Sequence, residues 1–129
     1  MLGTIGDCHV IRDLDLIRKL VLAVEAVPTG YAQNDIEIEG YSKEQIGYHS
    51  YLLVDAGLAK GLDATTNDDT SPIWLILHLT SAGHDFADAA RDESTWHKAR
   101  GIVKDKAGGV TLDIMKQVLI SVVKHSLGL

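Results

Sequence analysis

One cysteine, Cys8, and two prolines are all that the 129 residues contain of either type. A single thiol excludes an intramolecular disulfide framework and points to a reducing compartment, the cytoplasm. No apolar run reaches the ~18–20 residues that a membrane-spanning helix needs, so no membrane partner is expected. Positive charge does not dominate either. The chain has 12 Lys and Arg against 18 Asp and Glu, a net −6, short of the basic footprint that non-specific nucleic-acid binding requires. Catalytic patterns are also missing. There is no Gly-x-Ser-x-Gly, no phosphate-binding loop and no Cys/His pairing beyond Cys8-His9, and no spacing of Ser, His and Asp singles out a triad. Cys8 and His9 are two ligands where a zinc site needs four. His78, His84 and Asp85 depart from the spacing of His-x-x-x-His or His-Glu-x-x-His. The expectation is a protein without catalytic residues, metal or cofactor.

What is present is an ordinary globular composition, 46% apolar and 23% charged, long enough for one domain with a helical extension. Residues 1–10 read as a flexible leader. They lack the basic start and apolar stretch of a secretory signal. Over 11–27, Leu14, Ile17, Leu20, Val21 and Val24 keep the spacing of a helix with one buried stripe, with Asp13 or Asp15 at its start. Pro28 and Gly30 end it. Asp35–Tyr41 alternates with period two and predicts a short strand, Ile36 and Ile38 inward, Glu37 and Glu39 outward. Ser42 and Gln45 form a capping box for a helix over 42–57, closed by Gly57 in the left-handed conformation. Residues 58–64 and 73–79 predict two strands of a hairpin joined by the polar loop 65–72. Thr80 caps a further helix carrying Phe86, Ala89 and Ala90 inward. Trp96, Ala99 and Val103 mark the next helix, Gly108-Gly109 breaks the chain, and Thr111 caps a last one.

The fold class is therefore α+β, mostly helical. The order helix, short strand, helix, hairpin resembles a winged helix over residues 11–91, with residues 92–129 as a C-terminal helical extension packing on it. The run Leu52-Leu53-Val54-Asp55-Ala56-Gly57-Leu58 resembles the end of a winged-helix recognition helix turning into its wing. Leu79-Thr80-Ser81-Ala82-Gly83 resembles the phrase that closes the wing. More specifically, Arg12-Asp13-Leu14-Asp15-Leu16-Ile17-Arg18, Ile38-Glu39-Gly40-Tyr41-Ser42, Tyr48-His49, Ala56-Gly57-Leu58, Leu79-Thr80-x-x-Gly83-His84-x-Phe86 and Arg91-Asp92-x-x-x-Trp96 resemble an uncharacterised bacterial and phage family. It is known only as domain-of-unknown-function family 2513. The resemblance runs over roughly residues 11–129 and implies no reaction. The helix that should support a recognition helix is missing, very short or replaced, because only about a dozen residues separate Pro28 from Ser42.

The sequence leaves two partners open. One is DNA, bound by a winged-helix transcriptional regulator; the other is a host protein of defence or replication, bound by an interaction module with an acidic face. On the helix over 42–57, Lys43, Ser50 and Tyr51 are expected at the solvent face, beside Glu44, Gly47 and Asp55. Lys98, Arg100, Lys104 and Lys106 form a basic cluster further on. His49 is expected to face the core. Leu112, Met115, Leu119 and Val122 make the apolar face of the last helix. That face either packs back on the first helix or forms a homodimer interface. Charge is uneven along the chain. Residues 1–90 hold 5 basic and 14 acidic side chains, −9, and residues 91–129 hold 7 and 4, +3. A DNA partner would touch the tail, and a basic protein partner the acidic part.

Overall fold

The computed structural model describes residues 12–27, 36–104 and 112–128. The leader 1–10 with Cys8 and His9, the stop at Pro28 and Gly30, Lys106, the Gly108-Gly109 break and the Thr111 cap lie outside the described residues.

Helix α1 spans Leu14–Glu25. Of the two candidate acids, Asp13 is the cap. Its Oδ1 accepts the backbone N–H groups of Asp15 at 2.9 Å and Leu16 at 3.2 Å, satisfying amides that have no partner in the first turn. Leu16, Ile17, Leu20, Val21 and Val24 form the buried stripe.

Helix α2 spans Lys43–Asp55 and opens with the expected reciprocal capping box. The Gln45 N–H donates to Ser42 Oγ at 3.1 Å, and the Ser42 N–H donates to Gln45 Oε1 at 2.8 Å. At the other end Gly57 has φ 78°. The Gly57 N–H reaches the Val54 carbonyl at 3.0 Å and the Leu58 N–H reaches the Leu53 carbonyl at 2.9 Å, the paired bonds of a Schellman ending.

Strands β1 (Ala59–Asp63) and β2 (Trp74–Leu79) follow as an antiparallel hairpin. Leu62 faces Leu75 and Asp63 faces Trp74, with a bulge between Lys60 and Gly61. Helix α3 (Ser81–Arg91) is capped by Thr80, helix α4 (Glu93–Lys104) starts after Asp92, and helix α5 is Leu112–Ser126. The protein is thus α+β and mostly helical, with five helices and a two-stranded sheet among the described residues.

One contiguous core joins all five helices and both strands, from Leu14 to Val122. Helix α3 lies close under the hairpin base, since a Cβ on Gly83 would overlap the Leu58 carbonyl oxygen. Thr80 fastens this junction. Its Oγ1 donates to the Gly57 carbonyl at 2.6 Å and accepts the Gly83 N–H at 3.1 Å. Trp96 ties α4 to α1 by donating from Nε1 to Asp15 Oδ1 at 3.0 Å.

Two expectations need correction. Ile36–Tyr41 is not a strand; it runs into a turn in which the Tyr41 N–H donates to the Ile38 carbonyl at 3.2 Å, with Gly40 at φ 90°. The alternation nonetheless sets the facing, with Ile36 and Ile38 half-buried and Glu37 and Glu39 exposed. The last helix packs on α4 and α3 rather than back on α1. Leu112, Met115, Leu119 and Val122 all lie in the core of the chain itself, so this face has no surface to offer a second copy.

Candidate functional site

The first turn of α2, strand β2 and the segment 36–41 enclose an open groove of about 610 Å³, a size common among binding sites. Its walls are Ile36, Ile38, Ile46, Ile73, Trp74 and Ile76, and Glu37, Glu39 and Lys43 stand among its lining residues. The groove exists because α2 approaches the start of the second strand closely at Gly47. A Cβ there would come within 2.9 Å of Ile73 Cγ2. Beyond Gly47, Tyr51 packs tilted against Trp74 with ring centroids 6.0 Å apart, and Tyr48 lies 5.8 Å from Tyr51.

The structure distributes the expected site residues unevenly. Lys43 is exposed at the groove, and Tyr51 is half-buried against Trp74. Ser50 is not on the solvent face. It is 3% exposed, and its Oγ donates to the Ile46 carbonyl at 2.8 Å. That bond satisfies the hydroxyl inside its own helix, so the polar side chain can be buried at little cost. Gly47 is buried too. Of the basic cluster, the described side chains are those of Lys98 and Arg100. Lys98 is exposed, but Arg100 pairs with Asp15 at 3.5 Å. Lys106 and the side chain of Lys104 lie outside the described residues.

His49 faces the core as expected, at 1% exposure. The Asp13 N–H donates to its Nε2 at 2.8 Å, so Nδ1 carries the proton and donates to the Gln45 carbonyl at 2.7 Å. Burial holds the imidazole below its ordinary pKa, outweighing the favourable bond to Gln45 and the nearby Asp13. Tyr41 donates to the other carboxylate oxygen of Asp13 at 3.1 Å. Desolvation, then this bond, push its phenol above the ordinary value. His49, Asp13 and Tyr41 thereby fix the start of α1 against α2 and one wall of the groove.

Electrostatically the region is acidic. Between residues 36 and 80 the charged side chains are all exposed, and two lysines, Lys43 and Lys60, face seven carboxylates. Glu37 and Glu39 flank the groove, Glu44 and Asp55 lie on α2, and Asp63, Asp68 and Asp69 lie along the hairpin. Thr65 donors hold the Asp63 carboxyl below its usual range. The hairpin loop is fastened across to α2 by Ser71, which donates to Glu44 at 3.4 Å.

His78 and His84 are engaged separately, His78 with the Leu79 carbonyl at 2.9 Å and His84 with Glu25 at 3.4 Å. Among the described residues no three His, Cys, Asp or Glu side chains gather where they could hold a metal ion, and no helix is long and apolar enough to cross a membrane.

The groove-lining Ile73, Trp74 and Ile76 were not legible as site residues. Their signal is only an apolar strand in a hairpin.

Comparison with known proteins adds a family without an assigned activity. The sequence model of the family described as "Hypothetical protein (DUF2513)" matches residues 11–109. A protein of Haemophilus influenzae (strain ATCC 51907 / DSM 11121 / KW20 / Rd), described as "Uncharacterized protein", is 29% identical over 124 residues, covering 90% of this chain and 98% of that protein. No solved structure matches the chain. The chain belongs to the DUF2513 family.

Proposed function

We infer that this DUF2513 member is a non-enzymatic, winged-helix-like protein-interaction module, whose acidic face of α2 and hairpin receives a basic surface of a partner protein. The observation that supports the reading most is the charge of α2 and the hairpin, five exposed carboxylates against two lysines, with Glu37 and Glu39 adding two more beside the groove. A duplex presents phosphates, and helices that read it present Arg, Lys, Asn or Gln. Here α2 and the hairpin would repel the backbone they approached. A basic protein surface meets the opposite situation, in which complementary potentials speed encounter and set orientation. The half-buried aromatic side chains of α2 and β2 that lie against one another, Tyr48, Tyr51 and Trp74, are of the kind that anchors protein interfaces. The order helix, helix, hairpin, helix and the Schellman turn into β1 support the winged-helix likeness.

Two titrations of the isotopically labelled protein at low salt test the reading. Oligolysine is expected to move the amide signals of α2 and of the hairpin, and mixed-sequence duplex DNA to move none. DNA binding that weakens steeply with salt, with oligolysine silent, would reject the reading in favour of a DNA-binding regulator.

A further inference from the structure

Among the described residues, strand β2 has a partner on one side only. The Ala64 N–H donates to the Ile73 carbonyl at 2.8 Å, which makes this an inward-directed pair. Antiparallel alternation and the observed register then turn the backbone groups of Leu75 toward β1 and those of Trp74 and Ile76 away from it. Among the described residues, no backbone hydrogen bond joins Trp74 or Ile76 to the segment 36–38 across the groove. An unpaired apolar edge is a template for another strand, which natural proteins cover or blunt. Here it borders the groove and is flanked by carboxylates.

We propose that the groove takes an extended segment of a partner protein, alternating basic and β-branched apolar residues, as a third strand on the free edge of β2. This rests on the protein-binding reading above and specifies it. Main-chain bonds to Trp74 and Ile76 supply affinity, and alternate side chains supply specificity. One set of side chains lies on the apolar wall formed by Ile46 and Ile76. The other points to the rim, where Glu37 and Glu39 outnumber Lys43. An acidic or wholly apolar strand would not complement that rim.

The test uses the fluorescent peptide Lys-Val-Lys-Val-Lys-Val-Lys and the full chain. Anisotropy is expected to show saturable binding, and hydrogen exchange to show protection of the Trp74 and Ile76 amides only when peptide is bound. N-methylation of alternate peptide residues on the pairing side keeps charge and side chains but removes strand donors. It is expected to weaken binding at least tenfold. The exposed substitutions Glu37→Lys and Glu39→Lys together are expected to do the same, with circular dichroism and thermal midpoint unchanged. Equal affinity of the methylated peptide, with signals moving across α2 and the hairpin, would overturn strand addition while leaving the acidic partner face standing. No peptide binding would overturn it too, the oligolysine titration then deciding the broader reading. Protection of both amides in the free protein would also overturn it, because the edge would already be covered by this chain.

Discussion

The backbone amide of Asp13 and the imidazole of His49, 36 residues apart, meet in a 2.8 Å hydrogen bond that only a neutral histidine can accept. Arg12, Asp13 and the Gln45 carbonyl act on that ring, Tyr41 bonds to the same Asp13, and the Tyr48 ring lies edge-on to it. The folded pKa lies below the ordinary 6.5. Above 6.5 the imidazole is neutral in both folded and unfolded chains, and its contribution to stability is complete. As the pH falls below 6.5, the unfolded chain takes up a proton that the folded chain resists. Stability then declines by at most about 1.4 kcal/mol per pH unit until the folded pKa is reached. Urea midpoints measured from about pH 8 to about pH 5 are expected to show this decline, and His49→Gln to flatten it. A profile identical in the variant would remove His49 as its source. The Asp63 and Asp92 carboxyls, both below their ordinary range, act at lower pH and do not confuse the window.

Trp96 joins the C-terminal helices to α1. It is 3% exposed, packs edge-on against Phe86 at 6.3 Å, and lies under the Arg18 guanidinium at 5.6 Å. Trp96→Phe keeps most of the ring volume and removes the donor to Asp15. The expected loss is about 1.5–3 kcal/mol, the range for a hydrogen bond to a charged group. Trp96→Ala is expected to cost about 3–5 kcal/mol. Equal midpoints for Trp96→Phe and the parent in urea would show that the bond to Asp15 contributes nothing.

Two glycines make opposite predictions. Gly83→Ala drives a methyl group into the Leu58 carbonyl and is expected to destabilise by about 1–3 kcal/mol. Gly101→Ala in α4 meets nothing within 4 Å and is expected to stabilise by about 0.5–1 kcal/mol. Differential scanning calorimetry checks both, and a loss at position 101 would contradict the open space there.

Neighbouring residues of α5 distinguish core from surface. Leu119 is 1% exposed and Ile120 is 44% exposed. Leu119→Ala is expected to cost about 2–5 kcal/mol, whereas Ile120→Ala stays within about 0.5 kcal/mol. Sedimentation is expected to give the same mass for both variants and the parent. A drop in mass with Leu119→Ala would restore this face as a contact between copies.

The local chemistry of Ser42, Gln45 and Gly57 made α2 legible to the residue, because capping bonds and a positive φ are demands of one chain segment on itself. The hairpin was legible for a similar reason, its polar loop lying between two apolar runs. Asp35–Tyr41 misled because alternation reports which side faces inward, and a strand needs a bonded neighbour as well. Ser50 misled because a hydroxyl can satisfy itself on the preceding turn. The apolar face of α5 is the same pattern whether it meets its own chain or a copy, so periodicity could not choose. The groove was illegible because its walls come from three separated segments, and only folding brings Ile36, Ile46 and Ile76 together.

The doubly bonded hydroxyl of Thr80 also has a practical consequence. The hairpin is stapled where it leaves and rejoins the helices, whereas the turn at Asn67 and Asp68 is exposed and makes its bonds within the loop, from Thr66 to Asp69. Lengthening a surface loop adds only a slowly growing entropic cost, and loop tips of this kind accept foreign sequence readily. An epitope or a fluorophore attachment site placed between Asn67 and Asp68 would therefore report on the protein from outside, with the base of the hairpin still stapled by Thr80.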